Sequence, residues 1–287
     1  MRKIILYPNS ENDEGFVMTR QVGELLNKNG LQTVFCPIIT DDSSVIIPPP
    51  GYEISEPGPE LDTAEMIITF GGDGTILRAA RAASGHGVPI LGINMGGKGF
   101  MAELEANDIK LLESIVAGDY KIESRMMIDV EVQRGGETIH RDFALNDAVI
   151  KGDNKVIDLT LYGDGQKITH FSGDGTVIAT PTGSTAYSMS AGGPIVDPEA
   201  KNIIITPICA HMLEARSFVL VSSKTVSVEI GFKKHNPSYL SVDGGEHTEI
   251  QSGDTIKVYK SERYTQLVRL SDRSFYRKVS EKLGEKV

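Results

Sequence analysis

Short apolar runs and stretches of helical spacing alternate through the first third of the chain. Ile4-Ile5-Leu6-Tyr7 is a continuous apolar run that predicts a buried strand. Val17, Val22, Leu25 and Leu26 recur at helical spacing over residues 16–29, and Gly30 supplies a stop signal. Residues 31–36 predict a second strand, and residues 40–59, with Pro48-Pro49-Pro50, predict a long surface loop. Residues 66–70 predict a third strand, residues 76–84 a helix and residues 88–93 a fourth strand. This rhythm implies a parallel sheet with helices on its faces, a Rossmann-like α/β arrangement.

The period changes after about residue 120. Met126, Ile128, Val130 and Val132 alternate with polar neighbours, and Gly135-Gly136 then turns the chain. Ile157, Leu159 and Leu161 alternate likewise, before the hairpin signal Gly163-Asp164-Gly165. Residues 217–220, 226–230 and 256–259 predict further strands. The reading is an all-β second domain over residues 121–270. Helical spacing returns in residues 274–283 through Phe275, Val279 and Leu283. That helix is expected to pack back on the first domain, so that residues 271–287 complete residues 1–120.

The chain has 287 residues, 40% hydrophobic and 24% charged, which fits a globular protein of two domains. Its net charge is −10, and no Lys/Arg cluster exceeds Lys233-Lys234, so nucleic acid is not an expected partner. The opening MRKIILYPNS is too short in apolar residues for a signal core, and no run approaches a membrane span. Cys36 and Cys209 fit no metal or redox spacing. Two thiols of this kind predict a reducing, cytoplasmic setting.

Gly accounts for 30 residues, and the excess gathers in a few loops. Gly71-Gly72-Asp73-Gly74-Thr75 falls between a predicted strand and helix. Glycines there let a ligand approach the backbone closely, and the helix N-terminus suits an anion. A plain turn with Asp73 as helix cap fits the same string. If the loop binds phosphate, Gly74 is expected to exclude a β-carbon, by close approach or positive φ. Neither a P-loop nor a G-x-G-x-x-G after the first strand is present. Lacking a P-loop lysine, a phosphate site here needs Mg²⁺, and Asp73 could accept a proton from an attacking alcohol. Asn146-Asp147 suits an adenine edge and ribose hydroxyls, or else forms a turn. The third feature runs from Asp174-Gly175-Thr176 through Thr180-Pro181-Thr182-Gly183-Ser184-Thr185-Ala186-Tyr187-Ser188 to Gly192-Gly193-Pro194. Hydroxyls around one Gly, closed by an aromatic, suit ribose, amide and base. Tyr187, Met189 and Ile195 give the stretch apolar anchors that a flexible linker lacks.

Taken together, GGDGT at 71–75, LGINMGGKGFMAEL at 91–104, LNDAVI at 145–150 and DGTVIATPTGSTAYSMSAGGPIV at 174–196 resemble the NAD kinase family. GGDGT alone is shared with lipid kinases, whereas the TPTGSTAYSMSAGGP block is highly specific. The resemblance implies an α/β N-terminal domain, a β-sandwich-like C-terminal domain and an active site in the crevice between them. It implies transfer of the γ-phosphoryl group of ATP, with a divalent metal, to the adenosine-ribose 2′-hydroxyl of NAD⁺. Asp73 matches the proton acceptor, and Gly71, Gly72, Gly74 and Thr75 match the phosphate loop, with Arg78 one turn further on. The NAD contacts implied are Asp73, Gly74, Asn146, Asp147, Asp174, Thr176, Thr182 and the stretch Thr185, Ala186, Tyr187, Ser188, Met189 and Ser190. No metal ligand is assigned. A homodimer or homotetramer is also implied.

The chain departs from the family pattern at Ser172, where a basic residue is frequent, at Ala210, where Pro is usual, and at Gly245, where Gln is common. These positions bear on NAD⁺ against NADH preference and on donor choice, ATP or polyphosphate. A lipid or small-alcohol kinase sharing GGDGT would need an apolar acyl pocket or a membrane face, and no basic amphipathic stretch offers one. A non-catalytic NAD(P) sensor would have no need of Asp73.

Overall fold

A computed structural model describes residues 2–38, 46–97, 99–211, 215–231, 237–271 and 275–284. The chain divides into two compact units, Met1–Ser124 with Thr265–Val287, and Arg125–Tyr264.

In the first unit the elements are β1 (Lys3–Pro8), α1 (Val17–Lys28), β2 (Gln32–Phe35), α2 (Pro57–Leu61), β3 (Met66–Gly71), α3 (Asp73–Ala82), β4 (Ile90–Asn94), β5 (Leu104–Glu105) and α4 (Leu112–Ala117). The sheet runs β4-β3-β1-β2, all parallel, with β5 pairing β4 and Leu267 pairing Ile90. Strands β3 and β4 are buried at every residue, which is why they read as mostly apolar runs, interrupted only by Thr69 and Asn94 among polar side chains. Helix α1 buries Thr19, Val22, Gly23 and Leu26, while Val17, expected on the apolar face, is exposed. Helix α3 begins at Asp73, three residues before the expected start, because Gly72 takes the extended cap conformation. The expected 40–59 loop ends in α2, begun by Pro57 in the first turn, where a missing N–H costs nothing. Residues 40–45 of that loop lie outside the described residues.

The second unit contains β6 (Lys121–Arg134, entering from the first unit), β7 (Glu137–Ala144), β8 (Asp147–Gly152), β9 (Ile157–Gly163), β10 (Gln166–Gly173), β11 (Gly175–Ala179), α5 (Tyr187–Ser190), β12 (Asn202–Ile208), β13 (Phe218–Val221), β14 (Val226–Ile230), β15 (Ser238–Val242), β16 (Thr248–Ile250) and most of β17 (Thr255–Arg269). One antiparallel sheet has the order β13-β12-β11-β8-β15-β16. The other joins β10, β9, β14 and β17 with the β6–β7 hairpin. Ile150, Ile178, Ile205 and Leu240 of the first sheet share one core with Val130, Leu159, Val228 and Val258 of the second. The architecture is a sandwich.

Both glycine-marked turns are two-residue hairpin loops with positive φ, at Gly135-Gly136 and at Asp164-Gly165. Strand β17 extends well beyond the expected 256–259. Past Val258 the two-residue alternation breaks, and the next buried positions are the polar Ser261 and Thr265, before the apolar Leu267 and Val268. Helix α6 (Phe275–Leu283) returns to the first unit, where the Lys278 ammonium donates to the Ala102 carbonyl at 2.9 Å.

Candidate active site

In the first unit the chain leaves the buried β3 at Gly71 and enters α3 through Gly72 and Asp73. A β-carbon on Gly71 would strike the side chain of Thr75, which is itself buried, so the loop closes tightly on its own first turn. Gly72 is the N-cap residue, and no side chain caps the helix. Asp73 is therefore not a cap. Its carboxylate turns outward and accepts the backbone N–H of Phe100 at 2.8 Å and of Met101 at 3.1 Å. Gly74 is exposed, lies outside the positive-φ region, and would place a β-carbon in open space. Of the two grounds expected to exclude a β-carbon there, positive φ is corrected, because Gly74 already lies in helix α3. Arg78 is exposed one turn along. Its positive charge acts against the rise that burial imposes on the Tyr7 hydroxyl pKa.

The strip that holds Asp73 is positioned from below. The buried Asn94 amide donates to the Gly97 carbonyl at 2.8 Å and to Glu105 at 2.7 Å, which shapes the glycine loop. Gly99 passes so close to Asp73 that a β-carbon would lie 2.5 Å from its Oδ1.

The second unit assembles a separate cluster at one end of β8 and β11. Asn146 and Asp147 are almost fully buried. The backbone N–H groups of Leu145, Asn146 and Asp147 all donate to the Asp243 carboxylate, at 2.8, 2.8 and 3.1 Å. Asp243 reaches them from a left-handed backbone conformation, φ 50°. Burial, and then the nearby Asp243 charge, push the Asp147 carboxyl up to about 7. Among the described residues, Asn146 Oδ1 is buried without a hydrogen-bond partner. Gly183 packs on the Asn146 backbone, Thr180 Oγ1 donates to the Leu145 carbonyl at 2.5 Å, and buried Arg125 donates to Thr182 Oγ1 at 3.2 Å.

Other expected contacts divide by environment. The Ser188 hydroxyl pairs with Thr206 at 2.9 Å, and Thr176 Oγ1 donates to the Thr206 carbonyl at 3.2 Å; both side chains are fully buried. Thr185 donates back to the Thr182 carbonyl, while Tyr187 and Ser190 are exposed and Ala186 and Met189 half-buried. Asp174 is not brought to Asp147. Register pairs Ala179 with Asp147 and Gly175 with Lys151, so Asp174 lies about 16 Å away along the strands. There it lines a cavity of about 350 Å³ with Lys151, Asp153 and Tyr239. Sequence reading missed Asp243 and Arg125. Asp243 carried only a turn signal, and Arg125 none.

The N-terminal domain model of the ATP-NAD kinases matches residues 58–120, and the C-terminal domain model matches residues 145–270. The NAD kinase of Lachnoclostridium phytofermentans is 38% identical over 294 residues, covering 100% of both chains. The chain belongs to the NAD kinase family. A second relative, the NAD kinase of Natranaerobius thermophilus, is 39% identical over 99% of this chain and 98% of its own. Among solved NAD kinase folds, yeast NADH kinase complexed with NADH superposes with a TM-score of 0.85 at 25% identity, covering 99% of this chain and 88% of that one. The Archaeoglobus fulgidus NAD kinase, in complex with ATP, shares the fold at TM-score 0.73 and 23% identity, over 99% and 98% of the two chains.

The departures from the NAD kinase pattern have structural places. The Ser172 hydroxyl donates to Asp158, Ala210 packs against the sandwich core, and the Gly245 carbonyl accepts from Ser241 at 3.1 Å.

Proposed function

We propose that this chain transfers the γ-phosphoryl group of ATP to the adenosine-ribose 2′-hydroxyl of NAD⁺, giving NADP⁺ and ADP, with Asp73 receiving the hydroxyl proton. Membership of the family over the whole chain makes it an enzyme, an ATP-dependent NAD kinase. The yeast enzyme solved with NADH supports a dinucleotide as acceptor.

The observation that carries the role of Asp73 is its freedom from capping. A carboxylate has about four lone-pair sites, and the two N–H donors of Phe100 and Met101 leave others for a hydroxyl. Gly71, Gly72, Gly74, Thr75 and Arg78 then serve the phosphates at the α3 N-terminus, where backbone donors and dipole favour an anion. On the acceptor side, the orphaned Asn146 Oδ1 suits the exocyclic amine of adenine, and Asp147 suits ribose hydroxyls. Thr182 and the stretch Thr185 to Ser190 line the dinucleotide, with Tyr187 beside the base and the buried Ser188 side chain anchoring the stretch on Thr206. Thr176 supports that stretch from beneath, and Asp174 contributes from the opposite strand end.

Among the described residues no group of three or more His, Cys, Asp or Glu could hold a metal ion. Mg²⁺ carried on the triphosphate needs only one or two protein carboxylates. The metal would offset phosphate charge, and Asp73 is the carboxylate that would hold it in the alternative in which it takes no proton. The reading includes a homodimer or homotetramer in the cytoplasm. Among the described residues no helix is long and apolar enough to cross a membrane.

Incubation with ATP, Mg²⁺ and NAD⁺, followed by an NADP-specific dehydrogenase assay, tests the reading. NADP⁺ should accumulate with time and enzyme concentration. Folded protein that binds NAD⁺ without turnover points instead to a sensor, and phosphorylation of another alcohol alone points to a different kinase.

A further inference from the structure

Three charged side chains of the first unit are nearly closed off from water, and the phosphoryl-transfer reading gives none of them a task. Glu103 is 1% exposed at its side chain, Lys278 11% and Arg269 13%. Burying such a cluster carries a desolvation cost that apolar residues of similar volume would avoid. Burial and the neighbouring Arg269 charge both lower the Lys278 ammonium pKa, against the opposing pull of Glu103.

Their contacts converge on one short piece of backbone. Arg269 Nη1 donates to the Met101 carbonyl at 3.0 Å, while its Nε is held by Glu123 at 2.6 Å. Lys278 Nζ donates to the Ala102 carbonyl at 2.9 Å. Glu103 Oε1 accepts from the N–H groups of Leu270 and Ser271, at 3.1 and 3.0 Å, and from the Ser271 hydroxyl at 2.7 Å. On the other side of the strip, the Phe100 and Met101 N–H groups hold Asp73. Met101 thus gives its N–H to Asp73 and its carbonyl to Arg269. Behind it, the Glu103 N–H donates to the Gly92 carbonyl of β4 at 3.0 Å. An apolar cluster would fill the same volume and hold neither carbonyl.

We propose that Arg269 and Lys278 are positioning residues for Asp73, acting through the backbone of Met101 and Ala102. This rests on the reading of Asp73 as the group that meets the ribose hydroxyl. The C-terminal segment, remote in sequence from GGDGT, then fixes the angle at which that carboxylate is presented. Small displacements of a reacting group cost large factors in rate, so the effect should appear in kcat.

A double-mutant cycle with Lys278→Met and Asp73→Asn tests it, with kcat and KM measured for NAD⁺ and ATP. Lys278→Met should lower kcat roughly 10- to 100-fold, with both KM values within about threefold. Lys278→Arg should recover most of the loss. In the Asp73→Asn background the same change should cost less than about twofold, because a residue acting through Asp73 has nothing left to position. An equal factor in both backgrounds, or a loss confined to KM, overturns positioning while leaving Asp73 in its role. A kcat of Asp73→Asn within about threefold of wild type removes the reading of Asp73 and the proposal with it. If Lys278→Met yields no folded protein, the same cycle runs with Arg269→Lys, which keeps the charge and loses the fork that reaches Glu123 and Met101 together.

Discussion

Gly183 lies directly on the backbone of Asn146. A β-carbon on Gly183 would stand 2.6 Å from the Asn146 carbonyl carbon and 2.8 Å from its Cα. Backbone cannot swing aside as a flexible side chain does, so the TPTGST turn and the Asn146-Asp147 pair are positioned as one piece. Gly183→Ala should destabilise the protein by about 1–3 kcal/mol. It should also raise the KM for NAD⁺ by roughly tenfold, about 1.4 kcal/mol of lost binding. Urea unfolding and initial-rate kinetics measure the two; an unchanged midpoint and KM would show that the contact relaxes freely.

Gly74 behaves in the opposite way. Its backbone is already helical and a β-carbon there meets nothing within 4 Å. Gly74→Ala should leave stability unchanged or raise it by about 0.5–1 kcal/mol, since Ala is the better helix former. The KM for ATP should nevertheless rise, because the methyl occupies space that a phosphate needs. Thermal unfolding and ATP titration separate these effects. An Ala variant with wild-type ATP kinetics would reduce the loop to a plain turn.

The parallel frame of the first unit was legible because strands buried on both faces appear as apolar runs, as Ile4–Leu6 and Met66–Phe70 do. The sandwich was legible where alternation and glycine turns coincided, and faded in β17 where the polar Ser261 took an inward position. Helix α2 hid in a Pro-rich stretch because Pro57 serves a first turn as well as a loop. The site was legible where chemistry is local, as in GGDGT and Asn146-Asp147. It was not legible where a residue acts across the fold. Asp243 serves amides almost a hundred residues away, Arg269 serves the Met101 carbonyl, and the Phe100 and Met101 N–H groups carry no side-chain signature.

Asp147 predicts a pH dependence of stability. Its carboxyl, ordinarily near 3.8, is raised to about 7 by burial and then by the Asp243 charge. The folded chain therefore holds a proton that the unfolded chain has released between those values, and stability from this group falls as pH rises through that window. Asp147→Asn removes the titration. Between pH 5 and pH 8, wild type should lose about 2–3 kcal/mol of stability relative to the variant, at about 1.4 kcal/mol per pKa unit. Urea unfolding of both proteins at the two pH values measures it. Parallel pH profiles would show that Asp147 ionises in the fold as it does in water.

Asp73→Asn tests the centre of the mechanism, and the structure makes it less conservative than its shape suggests. Both carboxylate oxygens accept a backbone N–H, from Phe100 and from Met101. An amide offers one acceptor, so its NH₂ group must face one of those donors or turn away. One hydrogen bond is lost, which costs about 1–3 kcal/mol where the abandoned donor stays buried. The fold, held by sheet and core, should survive with a lowered unfolding midpoint. If Asp73 takes the hydroxyl proton, kcat should fall by roughly 10²–10⁴, about 3–5 kcal/mol of transition-state stabilisation. Apparent NAD⁺ affinity should change much less, since the amide oxygen can still accept from the ribose. Phosphoryl transfer passes through a loose transition state in which the hydroxyl loses its proton late, so a metal-holding role is the rival account. The two differ in their response to Mg²⁺. Raised Mg²⁺ partly restores a variant whose defect is metal binding, and leaves a variant lacking a proton acceptor unchanged. Both proteins should be inactive in excess chelator, because the triphosphate charge has no P-loop lysine to offset it. The expected result is the larger loss in kcat, without rescue; a variant within about threefold of wild type would exclude both roles.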